Sequence, residues 1–157
     1  MGTDQIKLLE RYSQGQTFGD VVSENIQSAA QRLIGSWRYV GSTLEGKPFP
    51  DRGASAQGII IYDRHGHMAC HVAPDRDVTR AGPEPTGEEA KAALANHIAY
   101  FGTYSVDEQA RTVTHHRQGS VQPGDKGDVV RGYEFVGERL ILRPVGTTRE
   151  VIWERIR

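Results

Sequence analysis

The sequence predicts an all-β fold, a closed antiparallel up-and-down β-barrel of about eight or nine strands with N-terminal helices and one short lid helix. Three observations support it. Short β-prone runs follow one another without the βαβ alternation of a parallel sheet. Eighteen glycines and seven prolines are scattered between these runs, where turns are needed. The first and last runs share a two-residue aromatic period, as expected of strands that meet when a barrel closes.

Length and composition set the class of protein. The 157 residues suffice for one domain, which we divide into a helical extension over 1–33 and a barrel over 34–157. The 19 basic and 20 acidic residues give a formal charge of −1, which disfavours nucleic-acid and membrane partners. One cysteine, Cys70, excludes an intrachain disulfide. With no secretory pattern at the start, we expect a cytoplasmic protein, and a homodimer stays possible.

Apolar residues in the first part of the chain recur at helical spacing. The pattern runs over residues 4–33 and is divided by Gly15 and Gly19. We expect a second helix that is capped by Asp20 and ends at Gly35. Its predicted role is to cover one mouth of the barrel, and partner binding is the alternative.

The run over 35–44 is predicted to be the first strand of the barrel. Its alternation places Trp37, Tyr39 and Gly41 on one face and Ser42 on the other. In the closing run over 150–155, Trp153 shares a face with Arg155. If these two strands pair, the Arg155 guanidinium can stack on the Trp37 ring.

The middle of the chain alternates strands and turns. Residues 58–62 and 67–72 predict a hairpin, and strands are expected over 99–106, 112–121, 129–136 and 139–144. Between them, Thr86 and Glu89 match a capping box that opens a short helix, which we interpret as a lid.

Strand parity predicts which side chains face the barrel interior. Met68, Cys70 and Val72 should point inward, so His67 and His71 should point outward. Parity also places Val121 inside. The larger side chains assigned to the interior are Trp37, Tyr39, Tyr100, Tyr104, His115, Arg131, Tyr133 and Trp153. Hydroxyls, an imidazole and a guanidinium are unusual in a purely structural core, so this set indicates a pocket for a polar or aromatic small molecule.

Several short motifs occur together in a specific order: Gly35-Ser36-Trp37, 58–62 with Gly66 and Met68, 98–104, His115-His116, 131–133 and 153–155. Over residues 34–156 the chain thereby resembles the bacterial and fungal lipocalin-like domain proteins. The resemblance implies a calycin-type barrel with an internal cavity, in a family of which some members occur with small-molecule metabolic pathways. The first thirty or so residues lie outside it, and 122–125 replace an expected aromatic-bearing loop.

Three functions follow from this interior. The first is binding of a small aromatic or carbonyl-bearing molecule. Its predicted ligand-binding residues are Tyr39, Tyr62, Met68, Tyr100, Tyr133 and Trp153. The second is a cofactor-independent isomerase, cyclase or lyase, with His115 as general acid or base, Arg131 as oxyanion or carboxylate partner and Tyr104 as a further catalytic candidate. The third is a structural or partner-binding protein whose own side chains fill the barrel.

Neither a metal nor a cofactor is expected. His65 falls in a turn, and His67 and His71 are about 13 Å apart along a strand, too far to share one ion. We interpret Cys70 as a small core residue, because no basic residue shares its face. Nucleophile elbows, phosphate loops and dinucleotide fingerprints are absent from the sequence.

Overall fold

The structure, a computed structural model, describes residues 27–157. The described elements, in chain order, are α1 Ala29–Leu33, β1 Gly35–Leu44, β2 Lys47–Pro48, β3 Gln57–Tyr62, β4 His67–Ala73, α2 Gly87–Leu94, β5 Ile98–Asp107, β6 Thr112–Ser120, β7 Gly127–Val136, β8 Arg139–Pro144 and β9 Arg149–Arg155. Within the described residues, no helix is both long and apolar enough to cross a membrane.

The strands form one sheet that closes on itself. Their order is β2-β1-β3-β4-β5-β6-β7-β8-β9, and β1 also pairs with β9. All of these pairings are antiparallel. The start of β1, Gly35 to Arg38, pairs with β3, whereas the stretch from Trp37 to Leu44 pairs with β9. The predicted closed barrel is confirmed, and the short β2 lies outside the ring of eight strands.

Helix α1 begins later than the sequence predicted. Ser28 is its N-cap, with a nonhelical ψ of 156° and a capping box completed by Gln31. A single helix from Asp20 to Gly35 is therefore wrong, because its course is broken at Ser28. The predicted first helix, its glycine breaks and the Asp20 cap lie outside the described residues.

One end of the barrel is closed by side chains. Leu33 of α1 is fully buried, and its carbonyl accepts a hydrogen bond from Trp37 Nε1 at 2.8 Å. The Arg155 guanidinium lies 4.1 Å from the centre of the Trp37 ring, which confirms the predicted cation–π contact. Arg32 stacks in the same way on Phe135, also at 4.1 Å. Leu33 thus joins α1 to the core of the barrel, and the predicted role of the preceding helix in covering one mouth stays a prediction.

Inward and outward faces follow the predicted alternation along most strands. On β4, Met68, Cys70 and Val72 are buried and the two histidines, His67 and His71, are exposed, as predicted. The predicted capping box of Thr86 and Glu89 is also confirmed at the start of α2. No residue of α2 is buried, and its role as a lid stays a prediction.

After each of two β-bulges, side chains face the side of the sheet opposite to the one predicted. The pairing of β1 with β9 shifts between Tyr39 and Gly41, so Ser42 is buried instead of facing outward. The pairing of β5 with β6 skips Gln118, so Val121 lies on the outer face and is 39% exposed, although it was predicted to point inward. An extra residue in one strand reverses the face of every residue that follows it.

Candidate functional site

A cavity of about 200 Å³ lies inside the barrel. Five of the nine predicted site residues line it: Tyr39, Tyr100, His115, Arg131 and Trp153. The remaining walls are Arg52, Ile60, Cys70, Val72, Ile98, Leu142, Pro144, Arg149 and Val151. These walls contain aromatic rings, aliphatic side chains and three guanidinium groups, and no carboxylate is among them.

The other four predicted site residues point inward but do not line the cavity. Met68 and Tyr133 are buried in the core cluster. The Tyr62 ring packs edge-to-face on Tyr104, with centroids 4.9 Å apart. The Tyr104 hydroxyl donates to the Asp63 carbonyl at 2.7 Å. Tyr104 is thus held away from the cavity by a backbone contact in the β3–β4 turn.

His115 lies between two tyrosines. Its Nε2 is 2.7 Å from the Tyr62 hydroxyl, and its Nδ1 is 2.9 Å from the Tyr100 hydroxyl. Burial is the main cause that lowers the pKa of His115 from 6.5 to about 3, and the nearby cations Arg131 and Arg117 lower it further. The imidazole is therefore neutral, with one N–H donor and one acceptor nitrogen. Since both nitrogens are engaged, His115 can pass a proton to the cavity only through a tyrosine.

Tyr100 and Cys70 form the polar part of the wall next to His115. Burial raises the pKa of the Cys70 thiol to about 12. Burial likewise raises the pKa of Tyr100 above its usual value. As predicted, no basic residue shares the face of β4 that carries Cys70. Arg131 and Arg52, which come from other parts of the chain, line the same cavity and lower the pKa of the thiol. Their effect is smaller than that of burial, so Cys70 remains a protonated thiol.

Arg131 on β7 brings a positive charge to the cavity. Burial lowers the pKa of its guanidinium, and Arg117 lowers it as well. Within residues 27–157, no carboxylate lies within ion-pair distance of Arg131 and no side-chain hydrogen bond holds it. The cavity thus contains a half-buried cation without a protein counter-ion in the described part of the chain.

Two further arginines in the cavity wall were missed by the sequence interpretation. Arg52 follows β2 in a loop, and Arg149 is the first residue of β9. Asp51 binds both: its Oδ2 is 3.0 Å from Arg52 Nη1 and 2.6 Å from Arg149 Nη2. Arg149 lies on the same strand face as Val151 and Trp153. Had the last strand been predicted to begin at residue 149 instead of 150, Arg149 would have been assigned to the barrel interior. Arg52 lies in a loop, so the alternation of strand residues could not predict where its side chain points.

The outer surface carries a pair of histidines that was also missed. The Nε2 atoms of His71 and His97 are 2.7 Å apart, and the rings are stacked. Across residues 27–157, no group of three or more potential metal-ligating His, Cys, Asp or Glu side chains occurs. This imidazole pair lies outside the barrel and does not line the cavity.

Comparison with known proteins gives a family match, and a bacterial protein is among the solved structures of similar fold. Residues 34–155, most of the chain, match the family model described as the lipocalin-like domain. The crystal structure of a DUF4847 family protein from Bacteroides vulgatus is 13% identical, with 78% of this chain and 92% of that chain covered at a TM-score of 0.47. No curated protein sequence matches the chain significantly.

Proposed function

Because the chain belongs to the lipocalin-like domain family, we propose that its barrel binds a small organic acid whose aromatic or carbonyl-bearing body carries a carboxylate. The observation that supports this most strongly is the Arg131 guanidinium, which faces the cavity without a carboxylate partner in residues 27–157. A neutral ligand would leave this charge uncompensated.

Arg131 selects the charge of the ligand. Withdrawing a cation from water is costly unless a partner of opposite charge is supplied. A carboxylate accepts two parallel N–H bonds from a guanidinium, which compensates the charge and fixes the orientation of the ligand. The cavity walls add no negative charge that would repel an anion.

The remaining walls select the body of the ligand. Tyr39, Tyr100 and Trp153 offer ring faces and edges, and Ile60, Val72 and Leu142 are among the aliphatic walls. An apolar cavity of about 150 Å³ is large enough for benzene. The volume of about 200 Å³ therefore accepts one six-membered ring with small polar substituents. A cavity of this volume favours a ligand-binding barrel over the third function considered, a barrel filled by its own side chains.

A second candidate function is the cofactor-independent isomerase, cyclase or lyase. The hydrogen-bonded chain from Tyr62 through His115 to Tyr100 favours it, because it connects a buried proton donor and acceptor to the cavity. In this version the Tyr100 hydroxyl takes the proton from the substrate carbon as it passes its own proton to Nδ1 of His115, and it returns a proton by the reverse path. His115 thus acts through Tyr100, and Arg131 stabilises the developing enolate. Tyr104 has no role in this mechanism, because its hydroxyl donates a hydrogen bond to the Asp63 carbonyl.

Isothermal titration with benzoate and its neutral analogue benzamide tests the binding proposal. We expect benzoate to bind at least about tenfold more tightly than benzamide, since a charge-assisted bond to Arg131 contributes about 1.5–3 kcal/mol. Arg131→Gln should remove this preference. Arg143→Gln is the matched control, because Arg143 binds Glu134 and Glu150 and does not line the cavity. Equal affinities for the two probes would refute the proposal.

Deuterium exchange at the benzylic carbon of phenylpyruvate tests the enzymatic alternative. This probe combines a ring, a carbonyl and a carboxylate, and its enolisation is followed by proton NMR. Under the alternative, the protein accelerates exchange, and Tyr100→Phe abolishes the acceleration while phenylpyruvate binding is retained. Binding without any accelerated exchange would favour a carrier.

A further inference from the structure

We propose that Arg52 and Arg149 form a second anion-binding site in the same cavity, so that the ligand is a compact diacid with two carboxylates on one small body. This inference rests on the proposed binding of a first carboxylate at Arg131. It assigns a chemical class to the ligand and a role to two arginines that no sequence motif indicated.

Both arginines have a buried donor without an acceptor. The Arg52 side chain is only 9% exposed, and its Nε has no hydrogen-bond partner among residues 27–157. The Nε of Arg149 is likewise buried without a partner in this part of the chain. About nine in ten or more buried polar groups in proteins are hydrogen-bonded. These two donors, with Trp153 Nε1 as a third beside the same cavity, therefore require an explanation. An acceptor bound in the cavity provides it.

Asp51 binds both guanidiniums but accepts no hydrogen bond from either Nε. It contacts Nη1 of Arg52 at 3.0 Å and Nη2 of Arg149 at 2.6 Å, and it reaches neither Nε. On Arg52 the edge formed by Nε and Nη2 is thus left open, and this edge is suited to a bidentate carboxylate. Asp51 is a positioning residue that fixes both side chains before a ligand arrives.

A ligand with two negative charges would balance the net charge of the cavity walls. Three guanidiniums line it, Arg52, Arg131 and Arg149, and Asp51 compensates one of them, which leaves a formal surplus of two positive charges. A monoacid at Arg131 would compensate one of the two. Arg131 comes from β7, whereas Arg52 and Arg149 are held together by Asp51. The cavity wall thus presents one single guanidinium and one bound pair of guanidiniums, and we assign one carboxylate to each. A ring between them contacts the aromatic walls.

Titration calorimetry with benzoate and the three benzenedicarboxylates, phthalate, isophthalate and terephthalate, tests this inference. The three isomers place the second carboxylate at three distances from the first, so they sample the spacing of the two sites. We expect one isomer to bind at least about tenfold more tightly than benzoate. Arg52→Gln should weaken that isomer at least about tenfold more than it weakens benzoate. Arg143→Gln, which removes an arginine from the outer face, should change neither.

The outcomes separate the two proposals. If benzoate binds and none of the three isomers binds more tightly, the second site is refuted and the site at Arg131 stands. If neither benzoate nor any dicarboxylate binds, both proposals fail. The comparison of ligands uses the wild-type protein, so it remains decisive even if Arg52→Gln fails to fold. Thermal unfolding of the variant shows whether its affinities can be compared with those of the wild type.

Discussion

Acid should destabilise the barrel through the imidazole of His115. This side chain is 1% exposed, and burial together with nearby cations lowers its pKa from 6.5 to about 3. Between these two pH values the unfolded chain binds a proton that the folded chain excludes. The contribution of His115 to stability is therefore fully present above about pH 6.5 and is lost as the pH falls towards about 3.

The size of the effect follows from the two pKa values. One excluded proton changes the free energy of unfolding by about 1.4 kcal/mol for each pH unit. Over the whole interval from 6.5 to about 3 the loss amounts to about 5 kcal/mol. From pH 7 to pH 5 it is about 2 kcal/mol, a large part of the 5–15 kcal/mol typical of a folded domain.

Urea denaturation of the wild type and His115→Gln at pH 7, 6 and 5 measures this contribution. Glutamine offers one acceptor and one donor to Tyr62 and Tyr100, so the variant should fold at pH 7 with a loss of about 1–3 kcal/mol. The wild type should then lose about 2 kcal/mol more than the variant between pH 7 and pH 5. His65→Gln is the control, because His65 occupies an exposed turn position. Its free energy of unfolding should change with pH as that of the wild type does. If the free energy of unfolding fell by the same amount in the wild type and in His115→Gln between pH 7 and pH 5, the reasoning would be refuted.

Two further predictions concern the barrel itself. Gly102→Ala should destabilise the protein by about 3 kcal/mol or more, because the new Cβ would lie 2.0 Å from a backbone oxygen of β6. Gly132→Ala, whose nearest neighbour is 3.9 Å away, should stay within about 0.5 kcal/mol in the same thermal unfolding assay. Arg155→Met should lower the unfolding free energy by about 1–3 kcal/mol, since it removes the stacking on Trp37 and the bonds to two carbonyls. An unchanged melting temperature would contradict the structural role of that arginine.

The sequence predicted the closed barrel and the inward or outward face of most strand residues, because a buried face imposes a strict two-residue alternation. That reasoning correctly placed His115 and Arg131 inside. It failed at Ser42 and Val121, which follow β-bulges. A bulge inserts one unpaired residue without a distinctive sequence, so parity cannot be carried across it.

Parity also says nothing about height along the barrel axis. Tyr100 and Tyr104 share the inner face of β5, yet only Tyr100 lines the cavity, whereas Tyr104 bonds the β3–β4 turn. Loops are a second limit. Arg52 points into the barrel from an irregular segment, where neighbours distant in sequence, here Arg149 through Asp51, determine the direction of the side chain.

The central claim is that a carboxylate enters the barrel and binds Arg131, and a crystal of the protein soaked with 4-bromobenzoate tests it most directly. The anomalous signal of bromine locates the ring independently of the rest of the map. We predict a bromine peak inside the cavity bounded by Tyr39, Tyr100 and Trp153, with the carboxylate against the Arg131 guanidinium. A bromine peak confined to the outer surface, with the cavity unchanged, would contradict the account.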